Sequence, residues 1–184
     1  MIYFYHMPRV LRLDASVYRD IYSRNAALWY CVINVLGLGL IYGLVSVYFS
    51  SHVLDQMAQQ GAVSVSRLVI LLVGLSVAFL MHGGAALFIW VFCKALGGCR
   101  QFMPPYLNLG ISAIALWPVA PALSALQSGY RDPALLIYLA VVLPYAAAVM
   151  YVAIREVSQL STVKMIAAAV LTVVYIGCFL YLWL

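Results

Sequence analysis

Five apolar stretches, roughly 27–49, 68–93, 106–127, 134–154 and 163–184, make up most of this chain, and none has Asp, Glu, Lys or Arg in its middle. Each reaches the about 20 mainly apolar residues that a bilayer-spanning helix needs. Hydrocarbon admits only structures that satisfy every backbone polar group internally, namely helices and closed barrels. The runs lack the alternation of barrel strands, so helices are expected. The expected fold is all-α, a polytopic membrane protein built as a five-helix transmembrane bundle over residues 27–184, behind a lead-in of residues 1–26. The composition agrees: 67% of residues are hydrophobic and 8% charged, against about 25% charged in soluble domains.

The loops orient the chain. Arg9, Arg12, Arg19 and Arg24 precede the first stretch, Lys94 and Arg100 follow the second, and Arg155 and Lys164 flank the fourth and fifth. Arg67 and Arg131 alone fall on the other side. The excess of basic residues on cytoplasmic loops then predicts a cytoplasmic N-terminus and an external C-terminus. The net charge of +5 reads as topology and contact with membrane lipids. It does not point to nucleic acid, because the basic residues are spread over short juxtamembrane segments. The first stretch is expected to be an uncleaved anchor. Within the lead-in, Asp14-Ala15-Ser16 can cap a helix running to about Asn25. Val10, Leu13, Val17 and Ile21 recur at helical spacing, which predicts an amphipathic helix lying on the cytoplasmic leaflet.

Two sets of residues stand out within the stretches. Gly39 and Gly43 have GxxxG spacing and continue to Ser46. Such a strip lets a second helix approach closely, within this chain or from another integral membrane subunit. His82 and Gly83 lie near the centre of the second stretch, Pro118 and Pro121 just past the centre of the third, and Pro144 at the centre of the fourth. A proline frees the carbonyl four residues earlier. A titratable side chain at membrane depth is a functional candidate by default. His82, Gly83, Pro118 and Pro144 therefore form a candidate midplane site for a small apolar ligand, a lipid or quinone. The plainer reading is a neutral His82 bonded to a carbonyl that Pro118 or Pro144 frees.

Enzyme machinery is not visible. The chain has no HExxH, no GxSxG with triad partners, no phosphate loop and no paired carboxylates, so no catalytic activity and no cofactor are expected. Cys31, Cys93, Cys99 and Cys178 show no metal-ligand spacing. Cys31, Cys93 and Cys99 fall on the cytoplasmic side, where thiols stay reduced.

The loops carry the most specific pattern. Lys94-Ala-Leu-Gly97-Gly98-Cys99-Arg100-Gln-Phe102 ends the second stretch, with Gly97 and Gly98 as helix stops. Arg155-Glu156-Val-Ser158-Gln-Leu160-Ser161 leads into Lys164 and the last stretch. A basic residue and Leu-Gly-Gly, then Gln-Phe, then a stretch with a central proline, resembles the YIP domain family, named for proteins that interact with Ypt/Rab GTPases. The Arg155–Lys164 segment is similar to the one before that family's last span. The resemblance covers roughly residues 14–184. It implies a non-enzymatic membrane scaffold, or an accessory subunit of a membrane complex. The chain lacks the Asp-Leu-Tyr-Gly-Pro stretch of the eukaryotic members' cytoplasmic arm. A bacterial-type member in the cell inner membrane is therefore the expectation.

Overall fold

A computed structural model describes the backbone of residues 2–59 and 66–183, and the side chains of 2–51 and 66–174. His52 and Cys178 thus have side chains outside the described residues. The described residues form helices α1 (Ile2–Leu11), α2 (Ser16–Ser23), α3 (Ala27–Gln59), α4 (Arg67–Ala95), α5 (Met103–Ser112), α6 (Val119–Gln127), α7 (Pro133–Ser158) and α8 (Thr162–Trp183), with a 3-10 turn at Ala113–Leu116 between α5 and α6. No strand occurs among them.

Three helices are long and apolar enough to cross a membrane: α3 over Ala27–Ser51, α4 and α7. The third expected span is not one straight helix. Its halves, Met103–Leu116 and Val119–Gln127, meet at 73°, and counted together they make a fourth candidate crossing. The break falls at Pro118, which has no N–H for Ile114 to bond. Ile114 instead accepts from the Trp117 amide at 3.2 Å, so the tighter turn takes up the carbonyl. Over its described side chains, Thr162–Val174, α8 is a shorter apolar helix.

Contacts set the relative directions. Along α3, Cys31, Gly39 and Gly43 meet His82, Leu75 and Leu71 of α4, so the two run antiparallel. Asn34 bonds the Ile111 carbonyl and Ser46 bonds Ser124, so α5–α6 runs with α3. Asn108 bonds Ala153, and Tyr138 bonds the Pro118 carbonyl, which makes α7 antiparallel to α5–α6. Lys164 at the start of α8 donates to Leu96 just past the end of α4.

Four helix ends close with one device. After α1, α2, α4 and α6 the residue pairs Leu13/Asp14, Asn25/Ala26, Gly97/Gly98 and Gly129/Tyr130 donate back to the last turn, the second of each pair reaching a carbonyl five residues earlier. The first of each pair has positive φ, from 53° at Asn25 to 89° at Gly129. This is the Schellman closure. It confirms the stop expected at Gly97-Gly98. Asp132 caps α7 by accepting from the Ala134 amide at 2.8 Å.

The lead-in departs most from expectation. It is two helices, not one, and it does not present its apolar face to a leaflet. Met7, Val10, Val17, Tyr18 and Ile21 are buried in the main core with Ile111, Ala115, Val119, Leu139, Val149 and Ala153. The described residues 2–26 pack onto the main core, their apolar face covered by α3, α5, the 3-10 turn and α7. Leu13 breaks from the face; it occupies the left-handed position of the turn and is exposed. Asp14 opens α2 as expected, accepting from the Ser16 amide at 3.0 Å.

Candidate functional site

The GxxxG strip is occupied within the chain. A Cβ at Gly39 would lie 2.9 Å from the Leu75 Cα, and one at Gly74 would lie 2.8 Å from the Gly43 Cα. Small residues on both helices thus bring α3 and α4 nearly into backbone contact. Ser46 is taken by the Ser124 hydroxyl of α6 at 3.1 Å. Gly39, Gly43 and Ser46 are intramolecular packing, so they do not form a face for another subunit.

The proposed midplane set does not assemble. His82 is buried, with Nε2 at 3.6 Å from the Cys31 Sγ and its ring 4.5 Å from that of Tyr106. Its partner is a thiol of α3, not a carbonyl freed by Pro118 or Pro144. Pro118 and Pro144 are exposed, and no described contact joins either to His82. A Cβ at Gly83 or Gly84 would meet nothing within 4 Å, so these glycines face open space on α4. Among the described residues, no three His, Cys, Asp or Glu side chains are grouped to hold a metal ion.

The two informative loops do come together. The Cys99 amide donates to the Ser158 carbonyl at 3.0 Å. A Cβ at Gly98 would lie 2.6 Å from that same oxygen. Lys164 donates to the Leu96 carbonyl at 2.9 Å, and Arg155 reaches the Thr162 hydroxyl at 3.3 Å. Glu156 turns the other way and pairs with Arg19 of α2 at 3.1 Å. Gly97, Gly98, Arg155 and Glu156 therefore lie at one end of the bundle, the end where α2 docks.

The amides in the apolar stretches matter more than the sequence analysis allowed. Asn34, fully buried, accepts from the Tyr3 hydroxyl and donates to the Ile111 carbonyl at 2.7 Å. Its own carbonyl accepts from the Trp117 indole at 3.0 Å. One residue thus joins α1, α3, α5 and the 3-10 turn. Asn108, also fully buried, ties α5 to α7 by donating to the Ala153 carbonyl at 2.8 Å. An amide inside an otherwise apolar run is the signal that could have found both.

The arm carries most of the described ion pairs. Arg9 donates to Asp14 at 2.8 Å, to Asp20 at 2.6 Å and to the Ser16 hydroxyl at 2.9 Å, clamping α1 to α2. The Ser16 hydroxyl and then Arg9 hold the Asp14 carboxyl below its ordinary value. Burial raises the Tyr18 hydroxyl and pushes that of Tyr22 up to about 12. His6 is buried with Nδ1 at 3.0 Å from the Tyr30 hydroxyl. Burial, then Arg24 and Arg9, lower its affinity for a proton, with Asp20 opposing. Beside it opens a cleft of about 430 Å³ lined by Ile2, Tyr5, His6, Arg9, Asp20 and Arg24.

No family model, curated protein or solved structure matches this chain.

Proposed function

We propose that this is a non-enzymatic integral membrane protein, similar to the YIP domain family, that acts as a scaffold or accessory subunit of a membrane complex. One observation carries the reading. The buried Asn34, Asn108 and Ser124 reach the Ile111 carbonyl, the Ala153 carbonyl and the Ser46 hydroxyl, each on another helix. They lock helices together and do not converge on a reaction centre. Interhelical bonds of this kind contribute about 1 kcal/mol each in membranes. Their concentration beside α1 and α5 suits a rigid body that presents its outer faces to other subunits.

The serpentine run of α3, α4, α5–α6, α7 and α8 supports five crossings, with the broken pair as one and α8 as the last. Basic residues at the end carrying the arm and the Gly97 and Arg155 loops support a cytoplasmic placement of that end. In a bacterial inner membrane the C-terminus would then be periplasmic. The small-ligand reading at His82 loses its support, because His82, Pro118 and Pro144 do not meet.

Purification in a gentle detergent, followed by mass spectrometry of the intact complex, tests the role. Stoichiometric membrane-protein subunits are expected. A lone chain carrying a bound quinone or another small apolar molecule would overturn the reading. A C-terminal alkaline phosphatase fusion should be active and a C-terminal green fluorescent protein fusion dark; the reverse would overturn both orientation and span number.

A further inference from the structure

From the cleft between α1 and α2 we infer a binding site for one glycerophospholipid, with its phosphodiester held by Arg24 and His6. Three features of the cleft lead there.

The first is charge. Three ionic side chains line the cleft, Arg9, Asp20 and Arg24. Arg9 and Asp20 satisfy each other at 2.6 Å. Arg24 is exposed at the end of α2, and its guanidinium has no hydrogen-bond or ion-pair partner among the described residues. Among the lining side chains this leaves Arg24 as the cation whose donor fork is open to the oxygens of a phosphodiester.

The second is a fixed donor. His6 is 2% exposed and lines the cleft, and its Nδ1 is engaged by the Tyr30 hydroxyl. With the hydroxyl donating to Nδ1, the neutral ring carries its proton on Nε2. That N–H is a donor for a phosphate oxygen and needs no charge on the imidazole.

The third is direction. Tyr3 meets Asn34 and His6 meets Tyr30, so α1 runs antiparallel beside the first turns of α3. Ile2, Phe4 and Tyr5, all exposed, therefore lie toward the middle of α3, while Arg9 and Arg24 lie toward its start. A charged pocket at the interface, continued inward by an exposed apolar flank, follows the layout of a phospholipid: headgroup outward, acyl chains inward. A soluble phosphate would gain nothing from that flank.

The test uses the full chain, purified in mild detergent, stripped of lipid and then offered phosphatidylglycerol or phosphatidylcholine. Intact-protein mass spectrometry should show one lipid retained per chain with either headgroup, since both carry the phosphodiester. Arg24→Gln should weaken retention about fivefold, the weight of one lipid-facing arginine. Arg12→Gln, which removes an exposed arginine of the same arm outside the cleft, should leave retention unchanged. Ile2→Ser should weaken it without altering charge. Inorganic phosphate or glycerophosphate at millimolar concentration should not displace the lipid. Equal losses in Arg24→Gln and Arg12→Gln would reduce the effect to general surface charge and overturn the site. Displacement by inorganic phosphate would make it a soluble-anion site and overturn the lipid assignment. Absence of retained lipid on the wild-type chain would overturn both.

Discussion

Gly110 of α5 lies directly against Cys31 of α3: a Cβ at position 110 would be 2.1 Å from the Cys31 Sγ and 2.9 Å from its Cβ. The two helices reach that distance because position 110 has no side chain. Gly110→Ala is expected to lower the thermal midpoint in detergent by the equivalent of about 1–3 kcal/mol, the usual range for an overpacked core. Adding Cys31→Ala should recover part of the loss, since the thiol is the nearer obstacle and the Cβ remains. A Gly110→Ala protein as stable as wild type would show that the helices are not this close.

The same reasoning applies where α3 meets α4. Gly43 and Gly74 face each other, and Gly39 faces Leu75. Gly39→Ile with Gly43→Ile should therefore destabilise the chain itself, seen as loss of a monodisperse peak on gel filtration. Release of a co-purifying subunit from an otherwise stable chain would place the strip on the outside.

Asn34 accepts from the Tyr3 hydroxyl, which has no other described partner, and donates to the Ile111 carbonyl. Leaving a buried polar group unsatisfied costs about 1–3 kcal/mol. Asn34→Leu should lower the thermal midpoint and speed proteolytic cleavage in residues 2–23. Tyr3→Phe should do so more weakly, because Asn34 keeps its bond to Ile111. The opposite ranking would remove Asn34 as the hub of the arm.

His6 gives the docked arm a pH dependence of definite sign. Its docked form binds a proton less readily than the ordinary value of 6.5, first because of burial and then because Arg24 and Arg9 repel the charge, with Asp20 opposing. Above pH 6.5 the ring is neutral whether the arm is docked or released, so docking is at full strength. As pH falls below 6.5 the released arm takes up the proton first and docking weakens. The loss levels off once the docked ring is protonated too. Thermal midpoints at pH 7.5 and 5.5 should differ in wild type, and the difference should shrink in His6→Gln. An unchanged difference in that variant would assign it to another group.

Much of the fold was legible because its signals are local. A helix of bilayer length needs only an unbroken apolar run, and three of the runs in the sequence form such helices, α3, α4 and α7. Gly97 announces its helix end, because a left-handed closing residue suits glycine at little steric cost. Asp14 announces the start of α2 through a side chain that reaches an amide two residues on. Pro118 and Pro121 announced a break in the third stretch, though not its 73° angle. At that break Trp117 seats against Gly37 and Asn34 across the bundle, contacts that no local signal announces.

What covers each apolar face was decided by tertiary structure alone. The spacing of Val10, Val17 and Ile21 says that these side chains avoid water, and a leaflet or a protein core satisfies it equally. Lipid tails are as apolar as leucine, so hydrophobicity cannot choose between them. The choice is made by groups far apart in sequence: Tyr3 with Asn34, Arg19 with Glu156, and the Tyr145 hydroxyl with the Leu11 carbonyl at 2.6 Å. The same holds for His82. Its depth in an apolar run marked it as unusual, but its neighbours proved to be Cys31 and Tyr106, not Pro118 and Pro144. Helix register against helix register decides which side chains meet, and no single run of sequence contains that information.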